Sequence, residues 1–106
     1  MSIAKKETFK AWIDKMPGSP PKLIVQGDGE VNSGGWTVTL DEAKPQGINP
    51  NIKLLVVNAI APKDRATTVM TPVKLRYVES PPHHEYTQVT IRDGKDSFTI
   101  NVGETS

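Results

Sequence analysis

Hydrophobic and polar positions follow two different periods along this chain. In residues 1–16, Phe9, Trp12, Ile13 and Met16 stand at i, i+3, i+4 and i+7. That spacing marks one face of a helix. Ala4 and Ala11 favour a helix there, and Ser2 stands where an N-cap belongs. Met16-Pro17-Gly18 ends the pattern, because proline cannot donate the next helical hydrogen bond. The pattern therefore predicts a short N-terminal amphipathic α-helix over 1–16. A Pro-rich connector, 17–21, would lead into the rest of the chain.

From residue 22 the period becomes two. A first strand runs over 22–26 and continues through Gly27-Asp28-Gly29 toward Val31. Glycine inside a strand signals a bulge or a close backbone approach. After the turn Asn32-Ser33-Gly34-Gly35, Trp36, Val38 and Leu40 alternate with Thr37, Thr39 and Asp41. A loop over 42–50 precedes a third strand over 52–60. A fourth strand, 69–78, aligns Val73, Leu75 and Tyr77 on one face. Pro72 inside that strand predicts an edge position or a bulge.

The C-terminal pattern is a hairpin. Val89 and Ile91 alternate on one strand, and Phe98, Ile100 and Val102 on the other. Asp93-Gly94 is a two-residue turn signal that pairs Arg92 with Lys95 and Val89 with Phe98. An even loop places all five apolar residues on one face, whereas a three-residue loop would not. In the third strand Leu54 and Val56 face one way, and Leu55 and Val57 the other. Both faces need cover. The N-terminal helix is the expected cover, which predicts a monomer; a second chain in its place would make a homodimer.

Composition sharpens this outline. At 106 residues the chain is one domain, 22–106 with its N-terminal helix. Val and Ile far outnumber Leu, with nine Pro and eight Gly, as befits strands cut by turns. About six or seven strands at this spacing predict an all-β, immunoglobulin-like antiparallel sandwich. Thirteen Lys and Arg against twelve Asp and Glu give a net charge of +1, which offers no electrostatic case for nucleic acid. No apolar run approaches membrane-spanning length, so no membrane insertion is expected. Residues 1–7 lack an apolar leader core, and localisation stays open. Without cysteine there is no disulfide, thiol nucleophile or thiolate metal ligand.

Pro45-Gln46-Gly47-Ile48-Asn49-Pro50, the run Ile52-Lys53-Leu54-Leu55-Val56-Val57, the strand around Pro72 and the Val89-Thr90-Ile91 hairpin together resemble a group of small bacterial β-sandwich proteins. The resemblance covers residues 22–102 and implies the sandwich fold. It carries no catalytic, cofactor or ligand residue to this chain.

Candidate chemistry is sparse. His83-His84-Glu85 is the densest set of metal-ligand types, but adjacent strand residues face opposite ways and a third ligand is not apparent. His83 and His84 are weak metal candidates, and no metal or cofactor is expected. Asp28-Gly29-Glu30-Val31-Asn32 fails the calcium-loop pattern, because Ser33 and Thr39 stand where Gly and a carboxylate belong. The acid pairs Asp41/Glu42, Asp28/Glu30 and Asp93/Asp96 suggest no acid–base site. No Gly-x-Ser-x-Gly elbow, Walker loop or Gly-x-Gly-x-x-Gly occurs. Tyr86 shares parity with His84, Gln88 and Arg92, a mixed outer stripe suited to an interface. The expectation is a non-catalytic binding or structural module with a protein partner. The alternatives are a small hydrolase inhibitor using its Pro-rich loops, and an enzyme using the His83/His84 loop.

Overall fold

In the computed structural model the described residues are 3–63 and 68–104. They form seven strands: β1 (Lys10–Asp14), β2 (Lys22–Val31), β3 (Thr37–Glu42), β4 (Ile52–Ile60), β5 (Thr71–Glu79), β6 (Gln88–Asp93) and β7 (Asp96–Glu104). One 3-10 turn, Lys6–Thr8, precedes β1. The strands make one sheet in the order β3-β4-β6-β7-β1-β2-β5. The outer strands β3 and β5 curl back toward each other, so the sheet is nearly closed like a barrel.

The fold is all-β, as the alternation implies. The wholly antiparallel pairing is corrected: the sheet is mixed, because β1 pairs with β7 and β4 with β6 in parallel. Strand β7 makes the sheet continuous. Residues 96–101 pair with β6, and 102–104 pair with β1.

The N-terminal α-helix is also corrected. Residues 10–14 are a strand, and Ser2, its expected cap, lies outside the described residues. The same sequence carries a second period: Phe9, Ala11 and Ile13 alternate, and Phe9 and Ala11 are buried while Met16 is exposed. A helix this short is marginal in water. As a strand it gains two hydrogen-bonded neighbours, β2 and β7. The stretch 17–21 is thus no linker between a helix and a sandwich; it closes the β1–β2 hairpin. Gly18 there adopts φ +80°, a conformation that favours glycine.

Several finer expectations hold. Pro72 sits on β5, an edge strand. Gly27 marks a close approach, since a Cβ there would run into the Phe9 ring. The C-terminal hairpin has an even loop, but its turn is Gly94-Lys95 rather than Asp93-Gly94. Ile91 therefore faces Phe98 and Val89 faces Ile100. The reason is Asp93. Its side chain turns inward, 3% exposed, and Oδ2 accepts the N–H groups of Ile3 and Ala4, each at 2.7 Å.

Leu23, Val25, Val31, Leu55, Leu75, Val89 and Ile91 fill the barrel interior. On the outer face of β4, Leu54 and Val56 are only half-buried. Their expected helical cover does not exist. The loop after β3 lies there instead: Gln46 bonds both the N–H and the C=O of Leu54 at 2.8 Å, mimicking a neighbouring strand.

Candidate functional site

Alternation on β4 places Lys53 on the same face as Leu55 and Val57, so a lysine enters the interior. It is 1% exposed. A buried ammonium is tolerated only when paired and hydrogen-bonded. Glu79 ends β5 on the inward parity of Val73, Leu75 and Tyr77, and Glu42 ends β3 on that of Leu40. These two carboxylates meet Lys53. Its Nζ bonds Glu42 Oε1 and lies 2.7 Å from Glu79 Oε1. The ammonium also lies 5.6 Å from the Tyr77 ring centroid and 5.5 Å from that of Tyr86.

Glu79 is held by further donors. The Tyr77 hydroxyl donates to Oε1 at 2.7 Å, the Tyr86 hydroxyl to Oε2 at 2.8 Å and the His83 N–H to Oε2 at 2.9 Å. Burial alone would raise this carboxyl, but the donors, Lys53 foremost, outweigh it and lower it to about 2. Burial works against the Lys53 charge too, and the bonds to Glu42 and Glu79 override it and raise the group. Burial and the adjacent Glu79 carboxylate push both tyrosines up. Among the described residues, no buried side-chain polar atom lacks a partner.

Above this cluster lies a cleft of about 200 Å³, walled by Gln46, Ile48 and Pro50 on one side and by His83, His84 and Tyr86 on the other. The two loops are fastened together. Asn51 Nδ2 donates to the Glu85 carbonyl at 2.7 Å, and the Thr87 N–H donates to the Asn51 carbonyl at 2.7 Å. Ile48, by contrast, is fully exposed at the loop tip.

The histidines expected as metal candidates are both exposed beside this cleft. Potential ligand atoms of Glu42, Glu79 and His83 lie within 4.8 Å of one another. The Lys53 ammonium bonds both carboxylates, however, and supplies the cation they need. The outer stripe is corrected at Tyr86. This residue precedes β6, so strand alternation does not reach it; it is buried, and its hydroxyl is spent on Glu79. His84 stacks edge-on against the Tyr86 ring at 6.0 Å. Gln88 reaches Asn101 across the hairpin, while exposed Arg92 stands toward the other end of β6. The four do not form one surface. Of the acid pairs, Asp28 meets Lys74 at 2.7 Å and Asp41 meets Asn58 and Thr39, whose hydrogen bonds lower it.

Sequence reasoning missed the Lys53–Glu42–Glu79 cluster, although a signal was present. Lys53 continues the Leu55/Val57 stripe and Glu79 continues the Val73/Leu75/Tyr77 stripe. Opposite charges extending two apolar stripes are candidates for a buried pair. No family model, curated protein or solved structure matches the chain.

Proposed function

We propose that the chain is a non-catalytic protein-binding module that meets its partner with the loops around the 43–51 and 80–87 segments. The carrying observation is Ile48, a large apolar side chain fully exposed on a loop pinned at both ends. Gln46 fixes one side through Ala43 and Leu54, and Asn49 fixes the other by accepting the Asn51 and Ile52 N–H groups. Such a loop loses little conformational entropy on binding. An apolar anchor flanked by polar groups is also the composition of an interface centre and its rim.

The test is retention of proteins from a native-host lysate on the immobilised chain. Ile48→Asp should abolish a specific retained species, and Val78→Asp, on an exposed strand position, should keep it. No retained species, or equal retention by both variants, refutes the module. The same observation supports a narrower reading, in which the loop enters the cleft of a hydrolase as an inhibitor. Chymotrypsin, whose specificity pocket is a hydrophobic slot, is the direct probe. An unchanged rate with excess protein rejects that reading for this pocket type.

A further inference from the structure

The Lys53 cluster has reactive partners placed against each other, independently of any binding role. An amine nitrogen contacts two carboxyl groups in a site shielded by Tyr77 and Tyr86. The Lys53 ammonium and the Glu79 carboxylate share this buried space, with a partly exposed Glu42 at its edge, and burial penalises the Lys53 and Glu79 charges. Condensation would remove one charge of each sign and leave a neutral amide. The protein supplies contact and charge stabilisation for that reaction. Nucleophile and carboxyl are held in contact, which removes the entropic cost of meeting. The hydroxyls of Tyr77 and Tyr86 and the His83 N–H point at the Glu79 oxygens, where charge builds as nitrogen adds.

We propose that Lys53 and Glu79 form an intramolecular amide cross-link, with Glu42 as the proton carrier. Glu42 takes a proton from the Lys53 ammonium, and the freed amine adds to Glu79 Cδ, forming the C–N bond. One Glu79 oxygen then leaves as water. It takes the proton held by Glu42 and a second proton from the Lys53 nitrogen. One positive and one negative charge disappear, Glu42 returns to carboxylate, and no oxidant, reductant or co-substrate is consumed.

Glu79 is the acyl partner because its side chain is 6% exposed and its oxygens are fixed by donors, so the amide is protected from hydrolysis. Glu42 is 33% exposed and lines the cleft, which suits a group that exchanges protons and lets water depart. The bond would join β4 to β5, which are not hydrogen-bonded neighbours, across the open side of the barrel.

Intact-mass spectrometry of the full chain tests this directly. The expected result is a mass one water molecule below the sequence mass, and a proteolytic digest containing a branched peptide joined at Lys53 and Glu79. Lys53→Met and Glu42→Ala should each restore the full mass. Circular dichroism of Glu42→Ala should still show the β-rich spectrum, separating lost chemistry from lost folding. A wild-type chain at its full sequence mass overturns the cross-link. A branch at Glu42 overturns the choice of acyl group, and water loss persisting in Glu42→Ala overturns the proton-carrier role.

Discussion

Replacing Asp93 by alanine removes the clasp that holds the N-terminal segment to the barrel. Asp93 Oδ2 accepts the Ile3 and Ala4 N–H groups in a buried setting. Hydrogen bonds to a charged acceptor are each worth about 1.5–3 kcal/mol, so the pair contributes about 3–6 kcal/mol. The segment need not stay docked after the substitution, and release changes the sum. Losing Ile3 burial costs about 1.5–3 kcal/mol more, and the Glu30-to-Ile3 and Lys5-to-Asp28 backbone bonds about 1 kcal/mol each. Against this, freeing three residues regains about 1–2 kcal/mol apiece of backbone entropy. The regained entropy offsets about half of these losses, and the expected net loss is about 4 kcal/mol. Urea denaturation should report it as a lower midpoint with a nearly unchanged slope. Asp93→Asn keeps an oxygen acceptor without the charge and should fall between wild type and Asp93→Ala. Hydrogen exchange should show the Ile3 and Ala4 amides losing protection first. An Asp93→Ala chain within 0.5 kcal/mol of wild type, roughly the spread of ordinary surface substitutions, would refute the clasp.

Gly27→Ala should destabilise by about 1–3 kcal/mol, because its Cβ meets the Phe9 ring, and Phe9→Ala should remove most of that penalty in a double-mutant cycle. Leu55→Ala should cost about 2–5 kcal/mol by leaving a cavity at a fully buried position, measured by thermal unfolding. The chain has two tyrosines, and burial beside Glu79 raises both above their ordinary value near 10. The folded protein should therefore show little tyrosinate absorbance at pH 10. Their contribution to stability is present below the unfolded value and lost as pH rises through the folded one. A full spectral titration centred at 10 in a chain still folded by circular dichroism would contradict their burial. Ile48→Asp should leave the melting temperature unchanged, since the side chain is fully exposed at the loop tip; a large drop would show that it packs.

Strand identity was largely legible because alternation is a local signal. The span of β4 and the inward parity of β5 are visible in residues 52–60 and in Val73, Leu75 and Tyr77. The hairpin parity was legible too, but its register was not, because Asp93 is drawn inward by Ile3 and Ala4, residues 90 and 89 positions away. Residues 9–16 carry helical and strand periods at once. The neighbours β2 and β7 decided between them, and neighbours are not written in the local pattern.

The candidate site divides in the same way. The sequence by itself determined a β-rich chain that must hold together without disulfides. Only the tertiary structure decided that Lys53, Glu42 and Glu79 share one buried cluster, that Tyr86 turns into it, and that the sheet is mixed and nearly closed. The physical reason is range. Side-chain alternation is set by each residue's own backbone, whereas pairing direction, register and charge partnership come from contacts between segments far apart in the chain.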